Sequence, residues 1–215
     1  MKRNFEFALK RALDVGVSIL ALLFLLPVFA FIAVAIVLDS PGSPFFKQER
    51  IGLRGKQFRM LKFRTMVEHA DGMGSGLYVS HDDPRITSVG KILRRFSIDE
   101  FPQLFHVLIG QMSFVGPRPA LPYHVNQYSV GQARRLAMRP GITGWSQVHG
   151  RNLLSWPERL ERDVWYIDHF SLGLDARILF RTIGVWLSGE GLYAARDKFF
   201  FSDHDDVPAP TRRES

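Results

Sequence analysis

Residues 15–38 read VGVSILALLFLLPVFAFIAVAIVL, a run with no charged side chain, closed at its ends by Asp14 and Asp39. A stretch of about 20 apolar residues is enough to cross the hydrocarbon of a bilayer, so this run sets the fold: a membrane segment followed by everything else. A secretory leader is the competing reading, with Lys2, Arg3, Lys10 and Arg11 as a basic start and Ala33-Val34-Ala35 as a cleavage site. The apolar run continues past Ala35, and the segment after it is basic and free of cysteine, which suits the cytoplasm better than export.

Charge on the two flanks argues about topology. Lys2, Arg3, Lys10 and Arg11 precede the run, and Lys47, Arg50, Arg54 and Lys56 lie beyond it. Basic flanks stay on the cytoplasmic side, so a straight span must carry one cluster across, whereas a segment that dips in and returns keeps both inside. Pro27 lies near the midpoint, has no amide hydrogen for the Leu23 carbonyl and crowds it, which predicts a sharp bend there. Arms of about 12 residues reach roughly 18 Å each, one leaflet deep. A re-entrant helix is favoured over a simple kinked span.

The whole chain has 215 residues, a formal charge of +7 and no cysteine. That length suits one domain beside the membrane segment, and the charge points to anionic partners without choosing among nucleic acid, lipid headgroups and phosphorylated small molecules. Without thiols there is no disulfide frame, zinc–thiolate site or cysteine nucleophile. The expected organisation is α+β and mainly helical: a re-entrant membrane helix over 1–39, a small cytoplasmic and interfacial catalytic domain over 40–201, and a disordered tail over 202–215.

Within that domain, residues 56–66 alternate as a half-buried strand, aromatic positions expected on one face and basic ones on the other. Residues 71–83 look like a mobile loop. Helices are expected at 88–95, 101–109, 125–137, 156–168 and 174–187, the last either packed on the core or lying in the membrane interface. No internal repeat is present, and the seven histidines lack metal-ligand spacing.

The densest chemistry lies at Arg94-Arg95-Phe96-Ser97-Ile98-Asp99-Glu100-Phe101-Pro102-Gln103-Leu104. Ser97 and Glu100 match a capping box, which needs no function. Pro102 weakens that reading, because a helix starting at Ile98 would need the amide hydrogen that proline lacks, and leaves the carboxylates in a distorted turn facing a site. Adjacent carboxylates on a helix diverge by about 100° and cannot flank one glycosidic bond. One can attack phosphorus while the other holds a hard cation. Arg118, between Pro117 and Pro119, is aimed with little entropy left to lose. The glycines around 139–145 and 150–152 are either ordinary turn residues or openings that let backbone amides approach a phosphate.

In order, these pieces resemble the bacterial sugar transferase family, the polyprenyl-phosphate hexose-1-phosphate transferases or small monotopic phosphoglycosyl transferases. The resemblance covers residues 5 to 200. It rests on Lys10-Arg11-Ala12-Leu13-Asp14, Pro27, Lys62-Phe63-Arg64-Thr65-Met66, Asp83-Pro84-Arg85-Ile86-Thr87, Ser97 to Leu104, Met112 to Pro119, Arg139 to Trp145 and Leu174-Asp175. It implies transfer of a sugar 1-phosphate from a UDP-sugar to polyprenyl phosphate, with UMP released and a phosphosugar carried on Asp99. It implies Glu100 as ligand of Mg²⁺; Arg94, Arg118, Arg151 and Asp175 as substrate-binding residues; and Pro27 as the break in the membrane helix. Leu26 stands where some members carry serine, which removes a hydroxyl that could satisfy the opened backbone. It also implies the inner membrane with the catalytic domain on its cytoplasmic face, contact with membrane lipids, and leaves a homodimer open. Nucleic acid is not an expected partner, because the basic residues are punctuated by apolar and turn residues instead of gathering on one aromatic-lined face.

Overall fold

A computed structural model describes residues 2–73, 79–80, 82–188 and 191. The expected tail over 202–215, the end of the domain near 201 and part of the expected loop at 71–83 lie outside the described residues. Helix α1 runs over Lys2–Asp39, and its helical assignment continues through Pro27. One face of α1 is buried from Lys10 to Ile36. Lys10, Asp14, Ser18, Leu22, Phe29, Ile32 and Ile36 form that stripe, at the spacing that keeps residues on one side of a helix. The opposite face bares Phe24, Phe31 and Leu38 at 78, 77 and 83 % exposure. Cleavage after Ala35 would strip Leu22, Phe29 and Ile32 from the core, which argues against a removable leader.

Both ends of α1 are tied to the same body. Near its start, Arg11 donates to the carbonyls of Val107 and Leu108 at 2.6 and 2.8 Å. At its end, Asp39 accepts from the Val89 amide at 2.8 Å, and Arg64 donates to the carbonyls of Ser40 and Pro41.

Strands β1 (Phe45–Ile51) and β2 (Gln57–Phe63) form an antiparallel hairpin in regular register from Phe45 opposite Phe63 to Ile51 opposite Gln57. Helix α2 (Ser88–Arg95) comes next, started by Thr87, whose hydroxyl accepts from the Gly90 amide at 3.0 Å. A 3-10 turn over Ile98–Gln103 leads into α3 (Leu104–Leu108). Strand β3 (Ser113–Val115) lies parallel to β4 (Gly141–Thr143).

Between those strands the expected helix over 125–137 is divided into α4 (Pro122–Val125), α5 (Val130–Ala133) and a 3-10 turn over Arg134–Ala137. Ser129 restarts the chain with a capping box to Gln132, so the apolar spacing spans a break. Helices α6 (Trp156–Asp168) and α7 (Leu172–Ser188) close the chain much as expected. α7 packs on the core through Asp175, Ile178 and Thr182, while Phe180, Ile183 and Leu187 are exposed.

Three apolar clusters hold these parts. Leu22, Phe29, Ile32 and Ile36 meet Phe63, Leu93 and Leu104; Phe58 and Met60 meet Val107 and Met112; Val115, Tyr166 and Phe170 meet Ile178. Phe114 touches all three, so β3 is the joint between α1 and the rest of the fold.

Candidate active site

A cavity of about 540 Å³ opens between the β1–β2 hairpin, the Ser97–Glu100 turn, Arg118 and the segment leading into α6. Nine lysine and arginine side chains line it against four carboxylates, so its field is strongly positive.

The carboxylates sit where backbone geometry breaks. Ser97 is left-handed at φ 54° and makes no capping bond, and the Glu100 amide reaches the Ser97 carbonyl at 3.2 Å in a tight turn. Such a turn does without the Pro102 amide. The capping-box alternative therefore fails, and Glu100 turns to the cavity instead. There its Oε1 accepts from Lys62 Nζ at 2.6 Å and lies 3.3 Å from Arg118. Lys62 also lies 3.7 Å from Asp99 Oδ2, so one ammonium serves two carboxylates whose side chains are 14 and 10 % exposed.

That arrangement divides the pair. Burial pushes the Asp99 carboxyl up, Lys62 opposes the push, and the Glu100 charge reinforces it. Burial acts on Glu100 in the same direction, but Lys62 and Arg118 outweigh it and hold Glu100 well below the usual carboxylate range. Glu100 is thus a fixed anion, while Asp99 is the more basic of the two and the better nucleophile.

The arginines converge from separate elements. Arg94, in the last turn of α2, donates through Nε to Thr65 Oγ1 at 2.8 Å. Gly90 brings that helix onto the strand's end: a Cβ there would stand 2.1 Å from the Thr65 carbonyl oxygen. Arg151, left-handed at φ 48°, reaches Ser97 Oγ at 3.2 Å. Arg118 is held by its backbone, its carbonyl accepting from Arg135 at 2.7 Å while the next carbonyl, of Pro119, accepts from Arg50 at 3.0 Å.

Of the glycines left open from sequence, Gly141 serves the turn: its N–H donates to the Pro117 carbonyl and the Gly116 N–H to the Thr143 carbonyl, both at 2.9 Å, in the close β3–β4 approach. Asp175 does not line the cavity. It is buried at the junction of α1 and α7, paired with Lys10 at 2.5 Å and accepting from the Tyr166 hydroxyl at 2.6 Å. Pro27 likewise belongs to α1 alone.

Sequence reasoning missed five contributors to this wall. Lys62 was hidden by the expectation that basic positions of the strand face away from the aromatic ones. In regular register it shares the parity of Phe58 and Met60, and Phe63 points the other way. Arg135 and Asp163 form a buried pair, with Asp163 also accepting from Ser146 Oγ at 2.7 Å. Burial, with Arg118 nearby, pushes Arg50 down to about 9 and Arg159 to about 10.

The order of motifs, the membrane helix and this carboxylate–guanidinium cavity define a membrane-associated transferase acting on phosphates. Comparison with known proteins makes the class specific: the family described as bacterial sugar transferase matches residues 5–189, and the chain belongs to it. The chain is 46% identical over 185 residues to the uncharacterized sugar transferase EpsL of Bacillus subtilis (strain 168), across 86% of this chain and 90% of that one. It is 38% identical over 198 residues to the exopolysaccharide production protein ExoY of Sinorhizobium fredii, across 86% and 88% of the two. It is 42% identical over 184 residues to the UDP-glucose:undecaprenyl-phosphate glucose-1-phosphate transferase of Escherichia coli (strain K12). That alignment takes in 81% of this chain but only 39% of the longer relative.

Proposed function

We propose that the chain transfers a sugar 1-phosphate from a UDP-sugar to undecaprenyl phosphate, at the cytoplasmic face of the inner membrane, as an early membrane step in building a polysaccharide or glycoconjugate. The Escherichia coli relative is named for this type of transfer. The observation that carries the reading is the Asp99–Glu100 pair, turned out of any capping role into a cavity rich in guanidinium groups.

An Asp99 oxygen attacks the phosphorus that bears the sugar, and the bond from that phosphorus to the bridging oxygen breaks, its electron pair leaving with UMP. A phosphate oxygen of the lipid then attacks the same phosphorus, and the aspartyl bond breaks to restore the carboxylate. Neither half needs a net proton. Lys62 keeps Asp99 available as an anion, and Arg118 and Arg151, which line the same cavity, would meet the charge that develops on the leaving phosphate.

The donor set fits a hard divalent cation. No cluster of three or more His, Cys, Asp or Glu suited to a metal exists among the described residues. Mg²⁺, however, takes only one or two carboxylates and fills its shell with substrate phosphates. Glu100, with Asp99 beside it, would hold it. When bound, it supplies Lewis-acid neutralisation of the diphosphate.

A re-entrant α1 is part of the proposal. A straight helix of 38 residues is about 57 Å long and would part its ends across the bilayer. Support for the same-side arrangement comes from Arg11 and Asp39, which both bond to the catalytic body.

The test is to incubate the enzyme with UDP-sugar and no lipid and to map the product by mass spectrometry. A phosphosugar on Asp99 is expected, with one equivalent of UMP and none from Asp99→Asn. Turnover by that variant would remove the nucleophile.

A further inference from the structure

Arg50 and Arg159 face the same cavity as the carboxylate pair. Arg50 gives Nε to Gln48 Oε1 at 3.1 Å and NH1 to the Pro119 carbonyl at 3.0 Å. Arg159 gives Nε to the Leu154 carbonyl at 2.9 Å and lies 5.0 Å above the Trp156 ring. Each is thus oriented by neutral acceptors. Among the described residues neither has a carboxylate within ion-pairing distance, whereas Arg118 and Arg135 on the same cavity each have one. Placing two partly buried guanidinium groups in the lining of one cavity without a protein counter-charge is costly unless the cavity takes an anion.

Arg118 links this wall to the chemistry. It touches Glu100 at 3.3 Å, and among neighbouring charges it is the one that weighs most on both Arg50 and Arg159. All three guanidinium groups face the cavity that holds the carboxylate pair.

We propose that Arg50 and Arg159 form a second anion site, which takes the phosphate monoester that leaves or approaches the phosphorus held at Asp99. This rests on the transfer reaction proposed above. Two phosphate monoesters take part in that reaction, UMP and the lipid phosphate. Each occupies the position opposite Asp99 in an in-line displacement, one leaving and one entering, so a single pair of guanidinium groups can serve both in turn.

Equilibrium binding of UMP and of uridine to the full chain in lipid nanodiscs tests the site. Arg50→Gln and Arg159→Gln should each weaken UMP by about ten- to a hundredfold, the usual worth of a charge-assisted bond, and leave uridine unchanged. Arg159 has no bond to the Arg118–Pro119 backbone, so its variant separates loss of the anion site from a displaced Arg118; it also decides the matter should Arg50→Gln fail to fold. KM for polyprenyl phosphate distinguishes the sources. A rise together with weaker UMP assigns one position used in turn, weaker UMP alone assigns the nucleotide phosphate, and a raised KM alone assigns the lipid. Unchanged UMP and lipid values in a folded Arg159→Gln, or equal losses for UMP and uridine, overturn the site. The UMP comparison requires no turnover, so its outcome stands apart from whether Asp99 carries an adduct.

Discussion

Replacing Lys62 with methionine keeps most of the side-chain volume and removes the charge shared by Asp99 and Glu100. At 3.7 Å the Lys62–Asp99 interaction is worth up to about 4 kcal/mol at an effective dielectric near 20. Cavity water and relaxation reduce that to about 2 kcal/mol, so formation of the adduct at neutral pH should slow by roughly thirtyfold. The sign of the pH effect comes from the same contact. Lys62 favours the charged form of Asp99 against burial and the Glu100 charge, so its loss moves the Asp99 carboxyl further up. A smaller fraction is then ionised at each pH below that value, and activity should return as pH rises. Rapid quench of the enzyme with UDP-sugar alone, across a pH series, reads both effects, and Lys62→Arg should restore most of the rate. A wild-type rate and an unmoved acid limb in Lys62→Met would refute the assignment of Lys62 as the group that keeps Asp99 ionised.

Asp163→Ala strands the buried Arg135, whose side chain is 3 % exposed, and should cost about 3–5 kcal/mol, seen as a lower melting temperature. Gly90→Ala drives a methyl group into the Thr65 carbonyl and should displace α2 with Arg94, lowering both melting temperature and UDP-sugar affinity. Asp175→Asn should loosen α1 from the body, read as faster proteolysis, without changing UMP affinity; a large loss of UMP binding would return Asp175 to the substrate site. Single cysteines at positions 4 and 55 should both react from the cytoplasmic side only, and labelling from opposite sides would restore the straight span.

Much of the site was readable because its chemistry is local. Asp99 and Glu100 are adjacent, and Pro102 alone shows that their turn cannot be an ordinary helix start. Arg118 is fixed by the prolines beside it. The failures lie where function is assembled from distant parts. Asp175 meets Lys10 across 165 positions, so no spacing shows that its carboxylate is spent on holding α1. Lys62 required knowing which face of β2 looks into the cavity, and its neighbours Leu61 and Phe63 obscure the parity. The helix expected over 125–137 failed because apolar spacing is blind to the capping box at Ser129.

The misplacement of Asp175 bears on how the membrane and the chemistry are joined. Asp14 of α1 accepts from the Phe114 amide at 3.2 Å, and Tyr166, which donates to Asp175, packs against Val115 in the same cluster. Phe114 and Val115 belong to β3, and three residues further along the chain stands Arg118. The charged residues at the start of α1 therefore hold the strand that aims a guanidinium at Glu100, and do so from within the fold. An apolar helix attached only as an anchor would need no buried Lys10–Asp175 pair, since lipid affinity comes from the exposed face of Phe24, Phe31 and Leu38. Burying an ion pair contributes little net stability but strongly disfavours other registers, because a shifted helix would leave both charges unpaired. The pair thus fixes where α1 sits on the body.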